Sequence, residues 1–163
     1  MAGTETPPVA PRSAAEFVDA LEAAFRDAAR LTGTVRRHFR IAGRTVRLAF
    51  AGDALVGALT AALRHVEAAP SSPDLTVLIW DALSTGSTPG APKWLDGGRY
   101  GNSEIRPPEA SPHAPSVQVG FDGLLGMLSA YDPGRRAAFC WLRDTGHIPI
   151  TIAGTPLRVV FQW

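Results

Sequence analysis

Lysine and cysteine are nearly missing from this chain, each occurring once in 163 residues, at Lys93 and Cys140. A single cysteine forbids an internal disulfide and fits a reducing compartment. No apolar run approaches the ~18–20 residues that a membrane-spanning helix needs. The first twelve residues carry prolines at 7, 8 and 11 and no apolar core of a signal peptide. They are expected to form a disordered tail, and the protein is expected to be cytoplasmic. Acidic residues are missing from one stretch in particular. Between Arg30 and Arg47 lie six arginines (30, 36, 37, 40, 44 and 47) and no Asp or Glu. The net charge of +1 therefore conceals a local basic segment, while the dominance of arginine over lysine throughout is expected from a GC-rich coding bias.

What is present describes one folded unit, residues 13–163. The 45% hydrophobic fraction is enough for one core of ordinary size. Ser13-Ala-Ala-Glu16 matches a capping box. Phe17, Val18, Leu21, Ala24, Phe25, Ala28 and Leu31 follow at spacings of three and four, the stripe of one helix face. Val35, Phe39 and Ile41 alternate with Arg36, His38 and Arg40. After Ala42-Gly43 the alternation resumes with Val46, Leu48 and Phe50, which predicts a hairpin. Asp53 is a candidate N-cap for a second helix carrying Leu55, Leu59, Leu63 and Val66. Leu75–Trp80 is a continuous apolar run, the pattern of a strand covered on both faces.

From Ala82 to Pro115 no periodicity holds, and six prolines with several glycines predict a long loop, anchored by Trp94, Leu95 and Tyr100. Ser116–Phe121 alternates as a strand. Leu124–Ala130 and Ala137–Leu142 flank Tyr131-Asp-Pro-Gly134 and read as paired strands, with a short helix as the alternative for the first. Thr155-Pro156 offers an N-cap and first-turn pair for a terminal helix. The expected class is α+β, a mainly antiparallel sheet of five to six strands with two or three helices on one face.

The search for chemistry gives little. Ser84–Gly90 follows a strand and is rich in glycine and serine, but lacks the lysine and following Ser/Thr of a phosphate loop. His38, His65, His113 and His147 have no metal-ligand spacing, so neither metal nor cofactor is expected. Cys140, between Phe139 and Trp141, reads as a buried small hydrophobe. An enzyme would have to assemble Asp81, Arg99, His113 and Asp144 beneath the 82–115 loop. Arg36, Arg40 and Arg47 form a candidate patch for phosphates or an acidic partner segment, or else a solvated sheet edge whose charge blocks aggregation. With only Phe39 and Phe50 as nearby aromatics, both inward, nucleic acid is not the expected partner.

Two segments, Phe39–Leu55 and Asp74–Gly86, together with Pro156-Leu-Arg, resemble the front region of bacterial HPr-kinase-like proteins, relatives of HPr serine kinase/phosphorylase. The resemblance spans roughly residues 34–163. It implies a non-catalytic accessory domain followed by a P-loop kinase domain, and carries over no catalytic residue, because this chain has no counterpart to the P-loop or the catalytic acids. The expected partner is then a kinase domain in the same longer protein, or another protein or peptide, with a homodimer as the alternative and no membrane. The apolar ending at Val160, Phe161 and Trp163, together with Trp94 and Tyr100, is expected to meet that partner.

Overall fold

A computed structural model describes residues 13–90, 103–105, 117–122 and 126–144, together with Leu157, Val160 and Phe161. The N-terminal tail and Trp94, Arg99, Tyr100, His113, His147 and Trp163 lie outside the described residues.

The capping box does what its residues dictate. Ser13 takes an extended conformation and its hydroxyl accepts from the Glu16 amide at 3.1 Å, opening helix α1 (Ala14–Thr32). Phe17, Val18, Leu21, Phe25 and Ala28 are buried along one stripe. Leu31 leaves it: the helix runs off the sheet in its last turn and exposes 77% of that side chain. Strands β1 (Thr34–Ile41) and β2 (Arg44–Ala51) pair antiparallel, with Thr34 opposite Ala51 and Ile41 opposite Arg44. Ala42 and Gly43 both take positive φ, 50° and 80°, the two left-handed residues that a tight hairpin turn requires.

The second helix is shorter than the sequence pattern predicts. Helix α2 (Val56–Thr60) tightens into a 3-10 segment over Ala61–Val66, and Asp53 supplies a backbone carbonyl to Val56 rather than a side-chain cap. Leu55 and Leu59 are nevertheless buried, with Leu63 and Val66 packed beside them. Strand β3 (Leu75–Asp81) then runs parallel to β2, reached by this crossover. A one-turn helix α3 (Ala82–Thr85) follows, and Ser103–Ile105 form β4 inside the stretch expected to be loop. Strands β5 (Gln118–Asp122), β6 (Met127–Asp132) and β7 (Ala137–Leu142) complete the chain order, and β6 and β7 pair antiparallel about the predicted turn.

The seven strands among the described residues, against the five to six expected, form one sheet in the order β1-β2-β3-β7-β6-β5-β4. Four of the six pairings are antiparallel and two, β2–β3 and β3–β7, are parallel. The α+β class with a mainly antiparallel sheet is therefore present. The placement of all helices on one face is corrected: α1 covers one face, packing on Ala49, Trp80, Phe139 and Trp141. Leu55 and Leu59, joined by Leu157 and Val160, cover the other, over Leu48, Ile79 and Leu142. Both faces need cover because the central strands are apolar on both sides.

Candidate functional site

Strand β1 is the last strand at one end of the sheet. Its odd residues Val35, Phe39 and Ile41 join the core on the α2 side. Period two then sends Arg36, His38 and Arg40 to the α1 side. Helix α1 packs chiefly over β2 and β3, and His38 Nδ1 is buried without a hydrogen-bond partner. Arg36 and Arg40 are exposed and His38 is half-buried. Arg47 lies opposite His38 in register, half-buried. Its Nη2 donates to Thr76 Oγ1 at 3.1 Å, while its Nε has no hydrogen-bond partner. The nearby carboxylate of Asp74 is occupied, accepting from the Thr45 amide at 2.8 Å.

The outer flank of α1 forms a wall beside this shelf. A cleft of about 560 Å³ separates helix from strand, lined by Ala23, Phe25, Arg26, Ala29, Thr34 and Arg36. Arg30 stands at its rim, paired with Asp27. Among the described residues, Arg26, Arg36, Arg40 and Arg47 make no ion pair. The structure thus brings together the three arginines singled out in the hairpin. It adds Arg30, the first arginine of the acid-free stretch, and Arg26, which sequence reasoning missed. Their one-turn spacing on α1 marks a common flank, but only the packing angle of the helix puts that flank beside Arg36.

The terminal segment is a correction. Leu157 and Val160 are each 2% exposed, and Phe161 packs against the same core cluster. They cover this domain's own sheet, where α2 is too short to finish the job. Val160 is therefore spent on this domain's own core rather than on a docking surface.

Asp81 is fully buried and structural. Its Oδ1 accepts from the Ser84 amide at 2.7 Å and its Oδ2 from the Ser84 hydroxyl, capping α3. Of the four residues an enzyme site would combine, only Asp81 and half-buried Asp144 are described. Cys140 is buried in the sheet face under α2, and burial pushes its thiol up to about 12. Such a thiol is inert as a nucleophile. Among the described residues no three His, Cys, Asp or Glu side chains are grouped to hold a metal ion. No helix among them is long and apolar enough to cross a membrane.

Comparison with known protein families, with curated proteins and with solved structures finds no match.

Proposed function

We propose that this chain is a non-catalytic accessory domain of an HPr-kinase-like protein, cytoplasmic, which presents a protein or peptide substrate on the arginine face of its β1–β2 hairpin. One observation carries the reading: Arg36, Arg40 and Arg47 share one face of the sheet without carboxylate partners among the described residues, and Arg36 lines an open cleft. Structural arginines are ordinarily paired or dispersed. A row held on strands keeps its spacing, and so is preorganised to bind carboxylates or phosphates. The segment similarity to the HPr-kinase-like front region supplies the context. The kinase module is not docked through Val160, which the domain uses for its own core.

The test is phosphotransfer by the protein that carries this domain together with a P-loop module. Deleting residues 13–144 is expected to abolish transfer to the protein substrate while nucleotide binding persists. Transfer that continues unchanged would refute the presenting role. So would a coding frame with no Gly-Lys-Ser/Thr loop in any protein joined to this domain or associated with it.

A further inference from the structure

We infer that the cleft between α1 and the open half of β1 takes an extended acidic segment of a partner protein, added to the sheet as a further strand. This rests on the reading of the arginine face as a partner surface and specifies what that partner presents. Two independent features of β1 meet here.

The first is its hydrogen-bonding edge. The His38 carbonyl accepts from the Ala68 amide at 2.8 Å, and Phe39 bridges Glu67. This half of the edge is thus covered by the chain itself. In an antiparallel ladder a residue directs its N–H and C=O to the same side, and neighbours alternate. The parity that turns His38 outward turns Thr34 and Arg36 outward too, and no described strand pairs with them. The open stretch Thr34–Arg37 spans ~13 Å at strand rise, room for four or five residues of an added strand.

The second is charge. Arg36 points to the α1 side of the sheet, with Arg26 and Arg30 across the cleft. Arg37, of opposite parity, is exposed on the other side. A strand laid along Thr34–Arg37 therefore meets a guanidinium on each face. The single carboxylate at the cleft, Asp27, is already engaged by Arg30. Edge strands commonly carry charge to repel other edges. That charge repels a basic or neutral strand and selects an acidic one, which supplies both the backbone pairing and the opposite charge. Phe25 and Ala29 also line the cleft and offer an apolar contact to an aliphatic side chain that the added strand directs to the α1 side.

The experiment measures fluorescence anisotropy of labelled pentapeptides on the whole chain. The probe is Glu-Glu-Val-Asp-Glu, with acids on both faces of the extended chain; its companions replace the acids by Gln and Asn, or the central residue by proline, and oligo-dT serves as the nucleic-acid probe. The acidic peptide is expected to bind, more weakly as salt rises. The amide and proline peptides are expected to bind about tenfold more weakly or worse. Arg36→Glu and Arg26→Glu should each weaken the acidic peptide by a similar factor, while Arg64→Glu, on the exposed 3-10 segment, leaves it unchanged. Thermal melts report whether each variant folds, and Arg36→Gln serves if Arg36→Glu does not. No binding, binding indifferent to Arg36 or to the proline, or tighter binding of oligo-dT would each overturn the inference. Those failures would leave the accessory role standing, because the phosphotransfer deletion tests it separately.

Discussion

Arg135 Nη1 stands 2.7 Å from Asp19 Oδ1, tying the turn between β6 and β7 to the first half of α1 across 116 residues of chain. The same guanidinium reaches Glu22 Oε2 at 3.4 Å and, through Nε, Asp132 Oδ2 at 3.2 Å. Its hydrogen bond to Asp19, with the surrounding carboxylates, holds the Arg135 pKa above its ordinary value. A raised pKa on a base stabilises the fold below the unfolded value and loses that stability only as pH climbs through the folded one. Arg135 therefore gives no pH dependence of its own near neutrality. The side chain is 38% exposed, so Arg135→Ala should cost no more than about 1 kcal/mol, less in high salt. Urea unfolding at two ionic strengths measures this.

Cys140 and Ser129 face one another across the β6–β7 ladder, both fully buried. The thiol rises from an ordinary 9.0 to about 12 on burial. An acid whose folded pKa is raised stabilises the fold below its unfolded pKa, here 9.0, and loses that contribution as pH rises toward 12. Alkaline unfolding should therefore be shallower in Cys140→Ala than in the parent chain. A thiol reagent should label Cys140 only on unfolding. The Ser129 hydroxyl has no hydrogen-bond partner, so Ser129→Ala should be neutral or stabilising by up to about 1 kcal/mol in urea titration.

Val160 and Leu31 exchange the roles that their sequence contexts assign. Val160, 2% exposed, should tolerate no charge: Val160→Asp is expected to cost about 3 kcal/mol or more and to broaden or abolish the cooperative melt. Leu31, 77% exposed, should accept Leu31→Lys within about 0.5 kcal/mol. A partner-contact role for Val160 would predict the reverse, an unchanged fold with lost association.

Ala42 sits at a φ of 50°, a left-handed conformation that costs an L-residue with a plain Cβ about 1 kcal/mol or more. Asparagine tolerates it through local hydrogen bonding, and Asn-Gly is the favoured pair for this turn. Ala42→Asn should stabilise the hairpin by about 1 kcal/mol, read as a raised unfolding midpoint without a change in peptide binding.

Much of the front of the molecule was legible because its signals are local. Ser13 and the three–four spacing mark α1, and period two around Ala42-Gly43 marks the hairpin with its wet arginine face. The parallel seams beside β3 were not legible. A continuous apolar run such as Leu75–Trp80 carries no preferred face and does not name its neighbours. The same ambiguity hid the second helical layer. A greasy ending looks alike whether it awaits another protein or its own sheet, and only the shortness of α2 decides it. Arg26 was missed for a related reason: off the apolar stripe it reads as solvated, and its placement beside Arg36 depends on where α1 crosses the sheet.

The sheet order has a consequence for how this chain tolerates rearrangement. The described strands up to Asp81 are β1–β3, those from Ser103 onward are β4–β7, and the two sets zip together along one ladder, Thr76–Asp81 against Ala137–Leu142. Doubling the length of a connection between two such sets costs only about 0.6 kcal/mol. Evolution, or an engineer, can therefore splice a foreign sequence between Gly90 and Ser103 and leave both sets to find each other as before.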